Sequence, residues 1–293
     1  NYLYYWGNPI DTEDLQLDLK LWRTDLTTDE TTWVSDINKE GSDYLGELED
    51  VNGTLFFSIE VPMPGQELLT EGQLWKTTGT LSSTEHIATF NEAGLPPTFL
   101  TNVNGTLFFA AVTDPEVGEE LWKSDGTPAG TVMVKKINPN PLEPSAPSYL
   151  VNVNNTLFFS AYTGQYELWK SDGTEAGTVR VKDINPFGLT NLDNMLYFYS
   201  SNELWKSDGT EAGTTKVASF TAPTGQRVYS IHILGKVNDD IRARYTRFAR
   251  GGVGLVVLEA MAVHGAKSGP LLRISSDEYI PGLVDLRARI HDA

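Results

Sequence analysis

Short apolar stretches recur along the first 220 residues of the 293-residue chain, separated by Asn, Gly, Asp and Ser. Around Trp169 they are Tyr149 to Val153, Thr156 to Ser160, Glu167 to Lys170 and Thr178 to Ile184. Aromatic and β-branched residues dominate them, which predicts strands. Asn52-Gly53 and Asn104-Gly105 suit two-residue hairpins, where both residues need positive φ. Asp125-Gly126, Asp172-Gly173 and Asp208-Gly209 mark a second turn, with glycine supplying the left-handed position. A later glycine, at 130, 177 and 213, is expected to open the next strand. No helical period is sustained in this part.

The pattern is a repeat. ELWKSDGTPAGT spans Glu120 to Thr131, and ELWKSDGTEAGT spans Glu167 to Thr178 and Glu203 to Thr214. QLWKTTGT at Gln73 to Thr80 and LWRTD at Leu21 to Asp25 are weaker copies. The tryptophans, Trp22, Trp75, Trp122, Trp169 and Trp205, are 53, 47, 47 and 36 residues apart. NGTLFF at 52–57 and 104–109, NTLFF at 155–159 and NMLYF at 194–198 accompany them, and YLYY at 2–5 has the same character. Four antiparallel strands per repeat at a period near 47 describe a β-propeller blade. Leu168 and Trp169 are adjacent, as are Leu157 and Phe158, so each pair points to opposite faces of its strand. Both faces then need cover, which neighbouring blades supply; a parallel β-solenoid is the rival arrangement. The expected fold is mainly β: a propeller-like array of about five four-stranded repeats over 1–220. The first repeat lacks its initial strand, and Val228 to Leu234 is a candidate to complete it.

Charge divides the chain. Residues 221–293 carry 10 basic and 7 acidic groups, a balance of +3; the whole chain has 22 and 39, so residues 1–220 hold 12 and 32, or −20. The net charge of −17 argues against nucleic acid or an anionic membrane as partner. No apolar run is long enough to span a bilayer. With no cysteine there is no disulfide or thiolate site. Asn1 opens inside a strand-like run, so a piece of a longer protein is expected.

The repeated residues read first as architecture. Trp122, Trp169 and Trp205 are expected between blades, with ligand stacking as the alternative. Asp125, Asp172 and Asp208 are expected to orient their turns; calcium is the alternative, although no nine- or twelve-residue calcium loop is present. His86 is the only histidine in residues 1–220, so no Ser-His-Asp set arises. No catalytic and no metal-ligating residue is assigned.

On these motifs, residues 1–220 resemble the bacterial proteins named for their ELWxxDGT repeat. The resemblance implies a propeller-type, secreted or cell-surface protein of little established biochemistry. Thr78 departs from it at the motif aspartate.

The tail differs. A junction at 221–235 precedes a helix from Asn238 or Asp239 to about Arg250, a buried strand Val253 to Leu258, a loop His264 to Ser276 and a second helix from Asp277. YTRFARGGVGLVVLEAMAVHGAKSG at 245–269 and ISSDEYIPGLVDL at 274–286 resemble the Old Yellow Enzyme family of NAD(P)H:flavin oxidoreductases and ene-reductases. That resemblance covers 236–293 and implies a partial TIM barrel. It places Ala260 at the edge of FMN, with Met261 where a threonine is common. His264 does not match the family's substrate-binding histidine. The first strand, the substrate-binding pair, the proton-donor tyrosine and the phosphate site have no counterpart, so no FMN is expected for this chain.

Two functions compete. One is a non-catalytic binding or structural module, its ligand a protein, glycan or small molecule on a propeller face. The other is FMN-dependent oxidoreduction, implied by the tail alone. A hydrolase or lyase at a central opening would rest on fold alone.

Overall fold

The computed structural model describes residues 2–7, 20–35, 45–63, 66–90, 95–112, 118–140, 142–219, 261–262 and 272–273. The chain forms two compact units, Asn1–Ile231 and His232–Ala293.

The first unit is a succession of antiparallel sheets, each a meander of strands consecutive in sequence. Blade 1 has three strands, β1 (Tyr2–Gly7), β2 (Lys20–Asp25) and β3 (Thr31–Ser35). Blade 2 has β4 (Leu45–Val51), β5 (Thr54–Met63), β6 (Gln66–Thr77) and β7 (Glu85–Phe90). Blade 3 has β8 (Thr98–Val103), β9 (Thr106–Val112), β10 (Glu119–Ser124) and β11 (Val132–Lys135). Blade 4 has β12 (Ser148–Val153), β13 (Thr156–Tyr162), β14 (Tyr166–Ser171) and β15 (Val179–Lys182). Blade 5 has β16 (Phe187–Leu192), β17 (Met195–Ser200), β18 (Glu203–Ser207) and β19 (Thr215–Ser219). The sheets thus have the strand order of propeller blades, and the first lacks its initial strand among the described residues. Consecutive initial strands contact one another from β4 to β8, β12 and β16. A solenoid of parallel coils is excluded for the described residues of this unit, because every pairing among them is antiparallel.

Local chemistry explains the turns. Asn52-Gly53 and Asn104-Gly105 have φ of 54°, 83°, 51° and 83°, as the hairpin reading required. Asn154-Asn155 and Asp193-Asn194 do the same work at 56°, 62°, 51° and 62°, since asparagine and aspartate tolerate this region better than other side chains. Gly130, Gly177 and Gly213 do not open the fourth strand as expected. They lie inside the turn, and β11, β15 and β19 begin at Val132, Val179 and Thr215.

The two-faced strands bury each face against a different neighbour. Leu107, Phe109 and Trp122 pack with Val51, Phe56, Leu74 and Ile87 of blade 2. From the same strands, Phe108 and Leu121 pack with Leu157, Phe159 and Trp169 of blade 4. Phe158 and Leu168 in turn meet Leu196 and Phe198 of blade 5. Each fully buried Leu or Phe contributes roughly 1.5–3 kcal/mol, so the interfaces between blades are the core.

Polar contacts add direction to these interfaces. The initial strands are linked by asparagines: Asn102 Nδ2 donates to Asp50 O at 2.9 Å, Asn152 Nδ2 to Asn102 O at 2.9 Å, and Asn191 Nδ2 to Asn152 O at 2.8 Å. The motif lysine reaches forward, Lys123 Nζ to Gly173 O at 2.7 Å and Lys170 Nζ to Gly209 O at 2.8 Å. A fourth-strand lysine does likewise, Lys135 Nζ to Thr178 O at 2.8 Å and Lys182 Nζ to Thr214 O at 3.2 Å. Blades 3 and 4 therefore each hold the motif turn of the blade that follows.

In the second unit the described residues form one parallel pair, β20 (Met261–Ala262) with β21 (Leu272–Arg273). A two-residue pairing does not support the barrel fragment expected over 236–293. It begins after the anticipated strand, and β21 falls where a loop was expected. The helices, the strand 253–258, Ala260, and the closing strand Val228 to Leu234 lie outside the described residues. Among the described residues no helix is long and apolar enough to cross a membrane.

Candidate functional site

The repeated turn is built by its own side chains. Asp172 Oδ1 accepts from Thr174 N at 2.9 Å and Thr174 Oγ1 at 2.7 Å, and Thr174 Oγ1 accepts from Gly177 N at 2.9 Å. Ser171 Oγ accepts from Gly173 N and bonds Thr178 Oγ1. The same bonds recur around Asp125 and Asp208. A Cβ on Gly130, Gly177 or Gly213 would collide with the carboxylate of Asp125, Asp172 or Asp208, which explains the second glycine. Blade 2 provides an internal control. Thr78 stands at the aspartate position and Ser83 at the glycine position, and Ser83 Oγ accepts from Thr80 N at 3.1 Å and Thr78 N at 3.2 Å. The carboxylate and the glycine are exchanged together, and the backbone donor stays satisfied. The motif aspartates are thus turn residues. Among the described residues no three His, Asp or Glu side chains gather as a metal group.

Hydrogen bonds from Thr127, Thr174 and Thr210 hold the carboxyls of Asp125, Asp172 and Asp208 below their ordinary range. Burial instead pushes Glu49, Glu119 and Glu120 up. Glu120 accepts from Ser145 Oγ, Ser145 N and Ile137 N. The two sets oppose each other in pH. The aspartates contribute stability above the ordinary carboxylate range and lose it as pH falls through their depressed values. The glutamates favour the folded state below that range and cease to as pH rises through their raised values. Stability is therefore expected to peak in mild acid, between the two sets. Urea unfolding from pH 2 to 8 checks this, and D125N/D172N/D208N should flatten the acid limb while leaving the other limb in place.

A cavity of about 140 Å³ lies between blades 3 and 4, lined by Val103, Asn104, Phe108, Lys123, Asp172 and Gly173 among others. It is smaller than ligand pockets usually are, and it surrounds the Lys123–Gly173 contact.

The opposite end of the blades carries a different arrangement. Near its start each initial strand shifts register, between Thr98 and Thr101, Ser148 and Val151, and Phe187 and Thr190. At these shifts Phe99 has φ 57°, Tyr149 56° and Gly188 60°. Glycine takes this conformation freely, whereas a bulky aromatic residue pays roughly 1–3 kcal/mol. The rings form a row: Phe99 and Tyr149 centroids are 6.2 Å apart, Tyr149 and Phe187 6.4 Å. Tyr149 is 39% exposed. Blade 2 has Glu47 and Glu49 alongside, and their carboxylates accept from Leu100 N at 2.8 Å and Asn102 N at 2.9 Å.

Sequence reasoning missed this row, because a register shift depends on how two strands pair and is not written in either strand alone. The one signal was the aromatic residue three positions before the repeated asparagine, Phe99 before Asn102 and Tyr149 before Asn152. Trp169 and Trp122 lie between blades as expected, Trp169 at 9% exposure and Trp122 partly buried. His86 packs edge-on against Trp75, centroids 5.2 Å apart, and Nε2 bonds Thr89 Oγ1. Ala260 lies outside the described residues.

No family model matches the chain, and no curated protein matches it. Among solved structures, one of a nidogen/laminin complex is similar at 14% identity and TM-score 0.40, over 78% of this chain and 79% of that one. A prolyl endopeptidase structure is similar at 13% identity and TM-score 0.49, over 76% of this chain and 34% of that one. A puromycin hydrolase structure is similar at 12% identity and TM-score 0.46, over 75% and 38%. This chain thus spans well under half the length of the two hydrolase chains. None of the three TM-scores reaches 0.5, so the description of the first unit as successive propeller-type blades rests on its own strand order and interfaces.

Proposed function

We propose that the blade array is a non-catalytic recognition module that works without flavin and binds a partner protein across the aromatic row of Phe99, Tyr149 and Phe187. The observation that carries this reading is the left-handed backbone at Phe99 and Tyr149. Strain of this kind persists where the surroundings over-determine it, and it clusters at ligand clamps. Gly188 supplies the strain-free alternative in the same fold. The motif residues are occupied in turns and blade contacts, whereas Tyr149 keeps an exposed ring available. Aromatic side chains give large contact area at low conformational cost. Acidic Glu47 beside the row favours a ligand of basic or neutral character. The resemblance of the repeats to ELWxxDGT proteins accords with a surface-exposed recognition role.

The test is the F99G/Y149G double variant, which removes both rings and relieves both strained positions. Its thermal midpoint is expected to stay within a few degrees of the parent's, because lost packing and relieved strain oppose each other. Arrayed peptides and glycans are probed with both proteins. Capture of peptides by the parent, lost in the variant, supports the reading. Capture that persists in the variant, or that is confined to glycans, overturns it.

A further inference from the structure

An Asn or Asp followed by glycine is open to attack on its own side chain. The glycine nitrogen has no neighbouring Cβ to shield it, so it can approach the preceding Cγ. The chain holds five such pairs: Asn52-Gly53, Asn104-Gly105, Asp125-Gly126, Asp172-Gly173 and Asp208-Gly209. The three Asp-Gly pairs are locked. Asp125 Oδ1 accepts from Thr127 N at 2.8 Å and Thr127 Oγ1 at 2.7 Å, and Gly126 N donates to Ser124 Oγ at 3.0 Å. Asp172 and Asp208 are held in the same way. Their side chains and their glycine nitrogens are thus each engaged elsewhere, and an ionised carboxylate is a poor acyl group.

The two Asn-Gly hairpins are different. Asn52 and Asn104 are exposed, and neither carboxamide makes a hydrogen bond among the described residues. The hairpins also differ from each other. Gly53 N donates to the Asp50 carboxylate, Oδ1 at 3.0 Å, whereas Gly105 N donates to the Asn102 carboxamide, Oδ1 at 3.0 Å. A carboxylate can take up the proton of that nitrogen; a carboxamide cannot. Room differs as well. Nothing lies within 4 Å of a Cβ position on Gly53, while Asn52 Nδ2 stands 2.6 Å from that of Gly105. The tip at Asn52 is therefore open and has a base beside it, and the tip at Asn104 is covered and has none. In blades 4 and 5, Asn154-Asn155 and Asp193-Asn194 keep the same backbone conformation with a side chain in place of the glycine.

We infer that Asn52 is a site of covalent self-modification, losing ammonia through a succinimide with Gly53 N as nucleophile and Asp50 as base. Asp50 takes the proton of Gly53 N as that nitrogen bonds to Asn52 Cγ. The Cγ–Nδ2 bond breaks, and ammonia leaves with the proton. Water then opens the ring at one of its two carbonyls. Opening at Cγ gives aspartate. Opening at the main-chain carbonyl gives isoaspartate, in which the chain runs through Cβ and Cγ and the turn is one atom longer. That turn joins β4 to β5, with Val51 paired to Thr54, and two-residue hairpins fix strand register closely. Either product also sets a second carboxylate beside Asp50 and against Gly105 of blade 3. The inference is independent of the aromatic row, which lies at the other end of the blades.

Incubation of the folded full chain in neutral buffer, followed by peptide mapping that separates aspartate from isoaspartate, tests it. The peptide with Asn52 should convert several-fold faster than the peptide with Asn104, and the Asp-Gly turns and Asn154 should stay intact over the same period. Asp50→Asn copies the arrangement that blade 3 already has at Asn102, so the hairpin is kept. It should slow conversion at Asn52 several-fold, towards the rate at Asn104. Gly53→Ala shields the nucleophile and should abolish conversion there. Thermal midpoints taken before incubation establish that both variants are folded. No conversion at Asn52 overturns the inference, as does conversion at Asn104 that is equal or faster. A rate at Asn52 that Asp50→Asn leaves unchanged, or conversion confined to the urea-unfolded chain, also overturns it.

Discussion

Replacing Trp169 with alanine is expected to destabilise the first unit by about 3–5 kcal/mol. The indole is 9% exposed and packs among Val103, Phe108, Leu121 and Val134 of blade 3 and Leu157 and Phe159 of blade 4. Lys135 lies over the ring, Nζ 5.9 Å from its centroid, while bonding Thr178 O. Truncation leaves a cavity between two packed blades, and it removes the ring beneath that lysine. At about 2–4 °C per kcal/mol for a unit of this size, the midpoint should fall by roughly 10 °C. Trp33 is 43% exposed, and Trp33→Ala should cost about 1 kcal/mol or less. Equal losses at the two positions would contradict burial between blades. They would return the repeated tryptophans to a ligand-stacking role.

The second large effect concerns the turn that each blade presents to its predecessor. Gly173 has φ 87°, and a Cβ there would stand 3.0 Å from Phe108 Cζ, with Lys123 Cδ at 3.8 Å. Gly173→Ala therefore meets two costs. The left-handed backbone costs about 1 kcal/mol for a residue with a Cβ. The crowded ring, itself buried, adds about 1–3 kcal/mol of overpacking. A loss of about 2–4 kcal/mol is expected from urea unfolding. Gly53 separates the terms, because its φ is 83° and nothing lies within 4 Å of its Cβ position. Gly53→Ala should show the backbone term alone. If the two substitutions cost the same, the grip of Phe108 on the turn is not part of the interface.

Much of the blade was legible because its determinants are local. The alternation of Leu121 with Trp122 and of Leu107 with Phe108 announces two buried faces. Asn104-Gly105 announces its hairpin, and Asp172-Gly173 its turn. The grip of Lys170 on Gly209 O was not legible, because it joins positions 39 residues apart whose pairing depends on how neighbouring sheets meet. The asparagine links failed to register for the same reason. Asp50, which lacks the amide donor, sits in the blade that follows one with no initial strand among the described residues. Thr78 was visible in the sequence as a departure at the motif aspartate, whereas the answering Ser83 at the glycine position emerges only from its acceptor role in the turn. The expected barrel fragment rested on resemblance over 236–293, where the described residues amount to a single short pairing.

The ends of the blades also differ in how freely their lengths vary. From the motif tryptophan to the fourth-strand aliphatic residue the distance is 12 positions in every blade, from Trp22 to Val34 through Trp205 to Val217. From the initial-strand Asp or Asn to the tryptophan it is 25, 20, 17 and 14 positions, from Asp50 to Trp75 through Asn191 to Trp205. All the variation falls at the end that carries Phe99 and Tyr149, because the other end is fixed by the grip between blades. Insertion, deletion and exchange of loops can therefore diversify one surface of this protein without a change in the residues that assemble it. A library of loop variants at 163–165 and 201–202 would start from a scaffold already divided into a constant and a variable side.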